Sequence, residues 1–423
     1  MQTISSSSEQ VLRQLEKTQA AASLIRNLDA HDKATLLHTL AESVASNMAL
    51  ILAANANDVA RMNPDDPKRD RLLLTEDRVL ALAASIRAVA SLPDPSGQTL
   101  LQHTMDNGVR IRKITVPLGV VGVIYESRPN VTLDVSALCL RSGNAAVLRG
   151  GSDAWETNSA LVALIQDVLE YQGLSREVVT LLPPDRELVM TLLHANRLVD
   201  ILIPRGSEGL IRFVREHARI PVIETGAGVC HTYVQEDADL EKARAVVVNA
   251  KVSRPSVCNA LDTVLVDAGV AAAFLPRLLP EFDQWKVDIY ADETAFELIA
   301  QVGYARLHRA APSDFGKEFL GYGCSVKVVS GLDEALQHIR HFSSRHSEAI
   351  ISENQLVCAR FLNEVDAAAV YSNVSTRFTD GGSFGLGAEI GISTQKLHAR
   401  GPFALEKLVT EKWIGEGEGQ TRW

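Results

Sequence analysis

The sequence predicts an α/β protein with two successive parallel-sheet domains, and two observations carry that prediction. From Val116 onward, short apolar runs alternate with amphipathic helical stretches. This alternation is typical of βαβ units that place helices on both faces of a parallel sheet. A second alternating series begins after Glu224. The chain of 423 residues is also long for a single core, which favours two or three domains.

The first predicted elements are helices, because apolar residues between positions 8 and 61 recur at helical spacing, as at Leu37, Leu40 and Val44. Loops rich in Asp and Pro interrupt this helical region at 62–68 and 93–97. Apolar runs predict strands and the stretches between them predict helices. The strands are expected at 120–125, 145–148, 178–182, 200–203 and 221–223, then near Val264, Val326, Ala349 and Ala369, and helices at 156–171 and 207–217.

Composition excludes several classes of partner. A hydrophobic content of 46% with 22% charged residues is ordinary for a globular protein with a large core. The net charge of −10 argues against nucleic acid or an anionic membrane as the main partner. The first eight residues lack the basic and apolar regions of a signal peptide. No apolar run approaches the roughly 20 residues that a membrane helix needs.

The cysteines and histidines give no pattern typical of a metal site. The five cysteines are odd in number and scattered, which fits a reducing compartment. The chain has neither Cys-x-x-Cys nor His-Glu-x-x-His, so we expect no zinc. His338, His341 and His346 lie close in sequence and could form a metal cluster, but a polar helix end and turn is the favoured interpretation.

Two glycine turns follow predicted strands. Arg149 precedes Gly150 and Gly151, and Gly206 precedes Ser207 at a predicted helix start. Backbone amides at such turns can approach a phosphate closely, with an arginine pairing its charge. Ligands of open α/β sheets bind beyond the carboxyl ends of the strands. The alternative is an ordinary strand-to-helix turn, because the chain has no Gly-x-Gly-x-x-Gly.

Cys258 is the candidate nucleophile. Pro255 and Ser256 break the chain just before it, and a β-branched run follows, so the thiol lies on a loop that can face a cleft. Lys251 and Arg254 are near in sequence and would favour the thiolate. By contrast, Cys139 and Cys358 fall on apolar helical stretches typical of a core, and Cys230 and Cys324 lie near turns without a recognisable partner.

Two further residues could act with such a thiol. Glu224 is expected at the end of a short apolar strand that enters a glycine turn, where its carboxylate could meet a loop cysteine across a cleft. Asn130 follows a predicted strand and a proline turn, and its amide could donate to a developing oxyanion. The alternative for Asn130 is that it caps the next helix. Thiol-based acyl chemistry is the resulting hypothesis.

Taken together, the motifs resemble a known family over nearly the whole chain. They are PLGVVGVIYESRPNV at 117–131, LRGG at 148–151, IPRG at 203–206, NAKVSRPSVCN at 249–259, STRFTDGGSFGLGAE at 375–389 and QKLHARGP at 395–402. This set is similar to that of the γ-glutamyl phosphate reductases, which belong to the aldehyde dehydrogenase superfamily. The family's histidine signature spans 338–346, where Phe342 replaces the usual His or Tyr. The chain does not contain the kinase-like half that the fused bifunctional synthase carries, so it resembles the stand-alone reductase.

The resemblance implies an aldehyde-dehydrogenase-like fold with two doubly wound α/β domains and a small oligomerisation element. Residues 1–228 and 387–423 would form the nucleotide-binding domain with that element, and 229–386 the catalytic domain. It further implies a cytoplasmic homo-oligomer that acts on a small molecule and is functionally coupled to glutamate 5-kinase.

The resemblance also assigns roles to residues. It makes Cys258 the nucleophile, and Asn130 with the Cys258 amide the oxyanion donors. Glu224 would be a thiol base, a cofactor contact or a structural carboxylate. Cofactor contacts are implied for Arg149, Gly150, Gly151, Ser152, Gly206, Ser207, Glu318 and Phe319, and the substrate's phosphate and α-carboxylate are assigned to Arg128, Arg254 and Arg377, with surface ion pairing as the alternative for each arginine.

The cofactor implied by the resemblance is NADPH. Arg149 would lie at the adenosine ribose, and Ser152 occupies the region where NAD-preferring relatives carry an acidic residue, which suits the 2′-phosphate of NADP. Glu318 and Phe319 are similar to the superfamily's Glu-x-Phe cofactor motif, although the intervening residue is missing.

The implied reaction is the NADPH-dependent reduction of L-glutamyl 5-phosphate to L-glutamate 5-semialdehyde with release of phosphate, the second step of proline biosynthesis from glutamate. Three alternatives stay open. They are an NAD-dependent hydrolytic aldehyde dehydrogenase of another substrate, a cysteine hydrolase without a nucleotide, and a nucleotide-binding regulator without turnover.

Overall fold

The computed structural model describes residues 6–63, 66 and 69–422. The chain divides into two compact units. The first comprises Met1–Thr225, Leu386–Gly391 and Phe403–Trp423, and the second comprises Gly226–Gly385 and Ile392–Pro402. Each unit contains a parallel sheet, so the predicted α/β fold is confirmed. The predicted division placed residues 226–228 and 392–402 with the nucleotide-binding domain and residue 386 with the catalytic domain, whereas contacts group them the other way.

Helices occupy most of the described N-terminal region, so the helical region predicted there is confirmed. Asp29 caps the second helix by accepting from the Asp32 amide at 2.8 Å. The helices are α1 Ser6–Arg26, α2 Ala30–Ser46, α3 Met48–Ala60, α4 Arg69–Leu72, α5 Glu76–Ser91, α6 Pro129–Arg141, α7 Trp155–Tyr171, α8 Arg186–Leu193, α9 Glu208–His217, α10 Leu240–Val252, α11 Ala268–Gln284, α12 Glu293–Val302, α13 Leu332–Phe342 and α14 Gln355–Glu364.

No single described helix is long and apolar enough to cross a membrane, and only the bent pair α2 and α3, which meet at 67°, passes that test by length and composition together. The loop predicted at 62–68 lies partly outside the described residues, because 64–65 and 67–68 are not among them.

The strands follow the predicted order along the chain. They are β1 Thr99–Thr104, β2 Arg110–Pro117, β3 Val120–Tyr125, β4 Ala145–Arg149, β5 Val179–Leu181, β6 Ile201–Arg205, β7 Cys230–Val234, β8 Leu261–Asp267, β9 Asp288–Ala291, β10 Leu307–Arg309, β11 Gly323–Val329, β12 Ser347–Ile351, β13 Ala369–Ser372, β14 Gly391–Ser393, β15 Gly401–Phe403 and β16 Val409–Glu416.

The first unit is built on a four-stranded parallel sheet in the order β5-β4-β3-β6. All six residues of β3 are buried, as its unbroken apolar sequence predicts for a central parallel strand. The strand predicted at 221–223 is wrong. Only Val222 bridges Leu202 there, and Pro221 offers no amide to extend the ladder.

The first unit also carries a small antiparallel sheet in the order β1-β2-β16. Its strands come from distant parts of the chain, since Val409 pairs with Pro117 and Glu416 with Arg110. Every residue of β1 is exposed. This sheet returns the C-terminal strand to the unit that contains the N-terminal helices.

The second unit is a doubly wound domain on a seven-stranded parallel sheet in the order β10-β9-β11-β8-β7-β12-β13. Successive residues of β8 pack on opposite faces, as the period of two in a strand requires. Val264 and Val266 join the core of helices α10 to α12, whereas Leu265 joins the core of α13 and α14. The loops at the amino ends of β7 and β8 hold the residues described next.

Candidate active site

Cys258 lies on the loop that connects α10 to β8, and its side chain is half-buried. This confirms the loop that Pro255 predicts. All five cysteines fall within the described residues, and none of them forms a disulfide.

Gly228 packs directly on the backbone of Cys258. A Cβ atom placed on Gly228 would lie 1.5 Å from the Cys258 carbonyl oxygen and 2.4 Å from its carbonyl carbon. No side chain fits there, since real Cβ contacts do not fall below 3.0 Å. The glycine turn that follows Glu224 therefore touches the candidate nucleophile through backbone alone. Sequence reasoning singled out this turn for Glu224 and missed the role of the glycine.

Cys230 supports the same carbonyl group. Its thiol is fully buried at the start of β7, and Sγ donates to the Cys258 carbonyl oxygen at 3.2 Å. Burial, reinforced by the carboxyl groups of Glu348 and Asp262, raises the pKa of Cys230 well above its usual value. A thiol held in this protonated form is a hydrogen-bond donor rather than a nucleophile. The sequence carried no signal for this contact.

Glu318 and Phe319 lie next to this region. The Oε1 atom of Glu318 accepts a hydrogen bond from the Gly228 amide at 2.9 Å. The amide of Phe319 donates to Asp262 Oδ1 at 3.0 Å. The predicted cofactor pair therefore sits beside the turn that contacts Cys258.

Lys251 is engaged in a buried pair. Its side chain is fully buried, and Nζ donates to the Gly323 carbonyl oxygen at 2.7 Å and lies 3.9 Å from Asp262 Oδ1. Burial lowers the pKa of Lys251 and raises that of Asp262 to about 6. The sequence suggested that Lys251 favours the Cys258 thiolate, but its contacts make it a link between α10 and the strands β8 and β11.

Arg377 joins the two ends of the Cys258 loop. Its Nε donates to Ser253 Oγ at 3.1 Å, and its Nη1 donates to Asn259 Oδ1. Arg254 lies exposed within the loop itself. Burial and the neighbouring Arg254 lower the pKa of Arg377, whereas Asp380 and the thiol of Cys258 act in the opposite direction. Two of the three arginines assigned to substrate anions are thus brought to the candidate nucleophile within this unit.

In the first unit, Asn130 occupies the second position of α6 and is half-buried. The residue at the cap position is Arg128, so the interpretation of Asn130 as the helix cap is wrong. Its Nδ2 donates to Asp134 Oδ2 at 3.2 Å, one helical turn further on. Burial raises the pKa of Asp134, and the hydrogen bonds from Asn130 and Ser85 oppose that shift. The contact fixes the orientation of the Asn130 amide.

Glu224 forms an ion pair with Arg215 of α9. The Oε2 atom lies 3.3 Å from Arg215 Nη1, and 17% of the Glu224 side chain is exposed. Since the predicted strand before it is a single bridged residue, Glu224 lies in an irregular segment. The pairing supports the structural interpretation among the three that the sequence left open.

Arg149 ends β4, as predicted, and lies close to another arginine. Its Nη2 donates to the Pro184 carbonyl oxygen, and its buried Nε has no partner among the described residues. Burial and the charge of Arg186 lower the pKa of Arg149, whereas the Asp185 carboxylate acts in the opposite direction. A Cβ on Gly150 would lie 2.3 Å from Asn158 Nδ2, so a larger residue there would require the buried Asn158 side chain to move. Arg149 at the carboxyl end of β4 and Arg186 at the start of α8 provide two cations for an anion, with the Asp185 carboxylate beside them.

The turn at Gly206 and Ser207 already holds an anion. Ser207 caps α9, which confirms its predicted position at a helix start. Its amide and its hydroxyl both donate to the carboxylate of Glu126 at 3.0 Å. A Cβ on Gly206 would lie 2.8 Å from Glu126 Oε2. A phosphate at this turn would have to displace that carboxylate.

The histidine signature belongs largely to the core. His338 and His346 are buried, and burial lowers their pKa values to about 3 and about 4. His231 pairs with the buried Glu348 at 3.0 Å. No group of three metal-binding side chains occurs within the described part of the chain. Only His341 matches the expected exposed helix end.

Known proteins resemble this chain over most or nearly all of its length. A sequence model of the aldehyde dehydrogenase family matches residues 1–309. A γ-glutamyl phosphate reductase from Pelodictyon phaeoclathratiforme is 52% identical over 416 residues, covering 98% of this chain and 99% of the relative. Its counterpart from Legionella pneumophila (strain Paris) is 49% identical and covers 97% of this chain and 99% of the relative. The chain belongs to the γ-glutamyl phosphate reductase family.

Solved structures agree with membership of the γ-glutamyl phosphate reductase family. The crystal structure of the reductase from Thermotoga maritima matches with a TM-score of 0.93 and 40% identity, covering 98% of this chain and all of that chain (100%). An acetylating aldehyde dehydrogenase from Geobacillus thermoglucosidasius matches with a TM-score of 0.71 at 16% identity, covering 100% of both chains, which shows a shared fold. The resemblance and the aldehyde-dehydrogenase-like fold predicted from the motifs are therefore confirmed.

Proposed function

We propose that this chain reduces L-glutamyl 5-phosphate to L-glutamate 5-semialdehyde with NADPH and releases phosphate, as the second step of proline biosynthesis from glutamate. The names of relatives at about 50% identity over nearly the full chain support the reaction class. The observation that carries the proposal is the anchored loop of Cys258, whose carbonyl group is fixed by Gly228 and Cys230. A fixed backbone holds a nucleophilic thiol in one orientation.

The thiol chemistry suits an acyl phosphate. The Cys258 thiolate attacks the acyl carbon and displaces phosphate, which forms an enzyme thioester and breaks the carbon–oxygen bond to the leaving group. The backbone amide of Cys258 and the side-chain amide of Asn130 are proposed to stabilise the oxyanion. NADPH, when bound, supplies the hydride. Collapse of the reduced adduct releases the aldehyde and returns the thiolate, after which the substrate's free amine cyclises onto the aldehyde.

The residues of the first unit fit an anionic cofactor group. Arg149 keeps a buried Nε without a described partner, and the charge of Arg186 adds to its own. Ser152 is exposed and uncharged, so no carboxylate at that position repels a 2′-phosphate. These features support NADP over NAD. In the second unit, the Glu318 carboxylate is proposed to accept from a ribose hydroxyl, next to Phe319.

The remaining assignments follow from charge. Arg128 and Arg254 are proposed to pair with the phosphate and the α-carboxylate of the substrate, because guanidinium groups bind such oxyanions with two hydrogen bonds. Glu224 is proposed to be structural. A base that activates water would hydrolyse the thioester and waste the intermediate, and the ion pair with Arg215 gives the carboxylate a partner.

The test runs the reaction backwards. Oxidation of Δ1-pyrroline-5-carboxylate is measured with and without phosphate, with NADP or NAD, for the wild type and Cys258→Ala. We expect NADP reduction that requires phosphate and disappears with the thiol, while the buried control Cys324→Ala retains it. Turnover without phosphate would indicate the hydrolytic alternative. A folded protein that binds neither nucleotide and shows no turnover would overturn the oxidoreductase proposal.

A further inference from the structure

We propose that Arg377 is a positioning residue that clamps the Cys258 loop through Ser253 and Asn259, rather than a residue that binds the substrate. The proposal rests on the proposed function in one respect, the role of Cys258 as nucleophile. It changes the assignment of Arg377, which the family resemblance placed among the anion-binding arginines.

The guanidinium group of Arg377 is bonded to both ends of the Cys258 loop. Ser253 lies five residues before Cys258 at the end of α10, and Asn259 directly follows the thiol. Arg377 Nε donates to Ser253 Oγ at 3.1 Å, and Nη1 donates to Asn259 Oδ1. A planar guanidinium that bonds both ends of a short loop fixes the distance between those ends. Two of its three nitrogens are committed to protein acceptors.

The segment 376–379 binds Asn259 from several directions. Asn259 Nδ2 donates to the carbonyl oxygens of Thr379 at 2.9 Å and Arg377 at 3.3 Å. Thr376 Oγ1 donates to the Asn259 carbonyl oxygen at 2.8 Å. Asn259 and Thr376 are buried, so these bonds are shielded from water. The residue next to the nucleophile is therefore bound on both its side chain and its backbone by 376–379.

The Arg377 guanidinium also brings a positive charge close to the Cys258 thiol. The titratable groups that face the Arg377 guanidinium are Arg254, Asp380, Cys258 and Cys230. Cys230 is kept protonated by its burial, so Cys258 is the thiol whose charge the guanidinium can stabilise. Arg254 is exposed and belongs to the loop that is being held. The clamp thus supplies a fixed positive charge near the thiol as well as a fixed backbone.

The measurement is thiol alkylation by iodoacetamide as a function of pH, which needs no substrate. Alkylation is monitored by the loss of activity and by mass spectrometry of the Cys258 peptide. The proteins compared are the wild type, Arg377→Lys, Arg377→Gln and the exposed control Arg277→Lys. We expect Arg377→Gln to slow alkylation at neutral pH about tenfold and to move its midpoint to higher pH by about half a unit. Arg377→Lys should restore the midpoint but not the full rate, because it keeps the charge and loses the second bond.

Steady-state kinetics separates the clamp from substrate binding. A clamp lowers kcat and changes KM for phosphate and Δ1-pyrroline-5-carboxylate by less than about twofold. An unchanged alkylation profile with a strongly raised KM for phosphate would overturn the proposal and show that Arg377 binds the substrate's anionic groups. If wild-type protein shows no turnover while the alkylation profile still shifts in Arg377→Gln, the proposed function fails and the clamp stands.

Two further variants keep the test decisive if Arg377→Gln does not fold. Ser253 is exposed, so Ser253→Ala removes one bond of the clamp without disturbing a core, and we expect a smaller drop of the same kind. Asn259→Ala combined with Arg377→Lys should cost less than the sum of the two single effects, because both substitutions disturb the same hydrogen bond between Arg377 and Asn259. Additive effects on alkylation would contradict a shared clamp.

Discussion

Gly228 and Cys258 meet backbone to backbone, and the space between them is too small for any side chain. A methyl group on Gly228 would lie 1.5 Å from the Cys258 carbonyl oxygen, and the Gly228 amide is held in place by Glu318 Oε1 at 2.9 Å. The carbonyl that Gly228 faces also accepts from Cys230. The position of the thiol therefore depends on a residue thirty positions earlier in the chain.

Gly228→Ala should displace the Cys258 loop and lower kcat by about 100-fold or more, since a displacement near 1 Å at a reacting group has an effect of this size. The control is Gly209→Ala in α9, where nothing lies within 4 Å of an added Cβ. That variant should keep full activity and melt at the same or a slightly higher temperature. Equal activity of both variants would show that the loop tolerates the displacement.

Arg149→Ala should lower kcat/KM for NADP by about tenfold or more while changing the value for NAD much less, because only NADP carries the 2′-phosphate. Arg186→Ala should act in the same direction, since its charge already reaches Arg149. Arg176→Ala is the matched control, an exposed arginine that pairs with Glu170 at 3.8 Å. A parallel loss for both nucleotides would mean that Arg149 stabilises the fold of the turn instead of reading the phosphate.

Glu224→Gln should retain phosphate-dependent turnover within about threefold, because the proposed reaction needs no base to activate water. The variant keeps the size of the side chain and loses the charge that faces Arg215. Turnover and thermal melting are measured together, and Arg215→Gln should lower the melting temperature by a similar amount if the pair is structural. Loss of turnover with an unchanged melting temperature would show that Glu224 takes part in the reaction.

Stability should fall as the pH drops below about 6.5, because the buried histidines resist protonation. Burial lowers the folded-state pKa of His346 to about 4 and of His338 to about 3, both below the unfolded value near 6.5. The unfolded chain therefore binds more protons between pH 6.5 and these values, and each histidine removes about 1.4 kcal/mol of stability per pH unit.

Asp262 acts in the opposite direction, since its raised folded-state pKa of about 6 lets the native state take up a proton between pH 6 and about 4. Urea unfolding at pH 7, 6 and 5 measures the net slope. His346→Gln should reduce the loss of stability on acidification by about 1.4 kcal/mol per pH unit relative to the wild type, which corresponds to one proton. His341→Gln, an exposed control on α13, should leave the slope unchanged. A wild-type stability that is flat from pH 7 to pH 5 would contradict the assignment.

Much of the fold could be predicted because it is local. Unbroken apolar runs identify β3 and β4 as buried strands, and Pro255 identifies the loop that carries Cys258. The strand expected at 221–223 shows the limit of that reasoning. Its apolar residues are as suitable as those of β4, but Val222 bridges Leu202 alone, because a ladder also depends on which partner strand lies alongside.

The sequence by itself determined the family, the α/β class, the order of the strands and the identity of the candidate nucleophile, since motifs and periodicity are properties of neighbouring residues. Only the tertiary structure decided that Lys251 pairs with Asp262, that Cys230 donates to the Cys258 carbonyl group, and that Arg377 bonds to both Ser253 and Asn259. These pairs are separated by 11 to 124 positions. Such contacts form only when folding brings remote segments together, and burial then shifts the pKa values of Lys251, Asp262, Cys230 and Arg377.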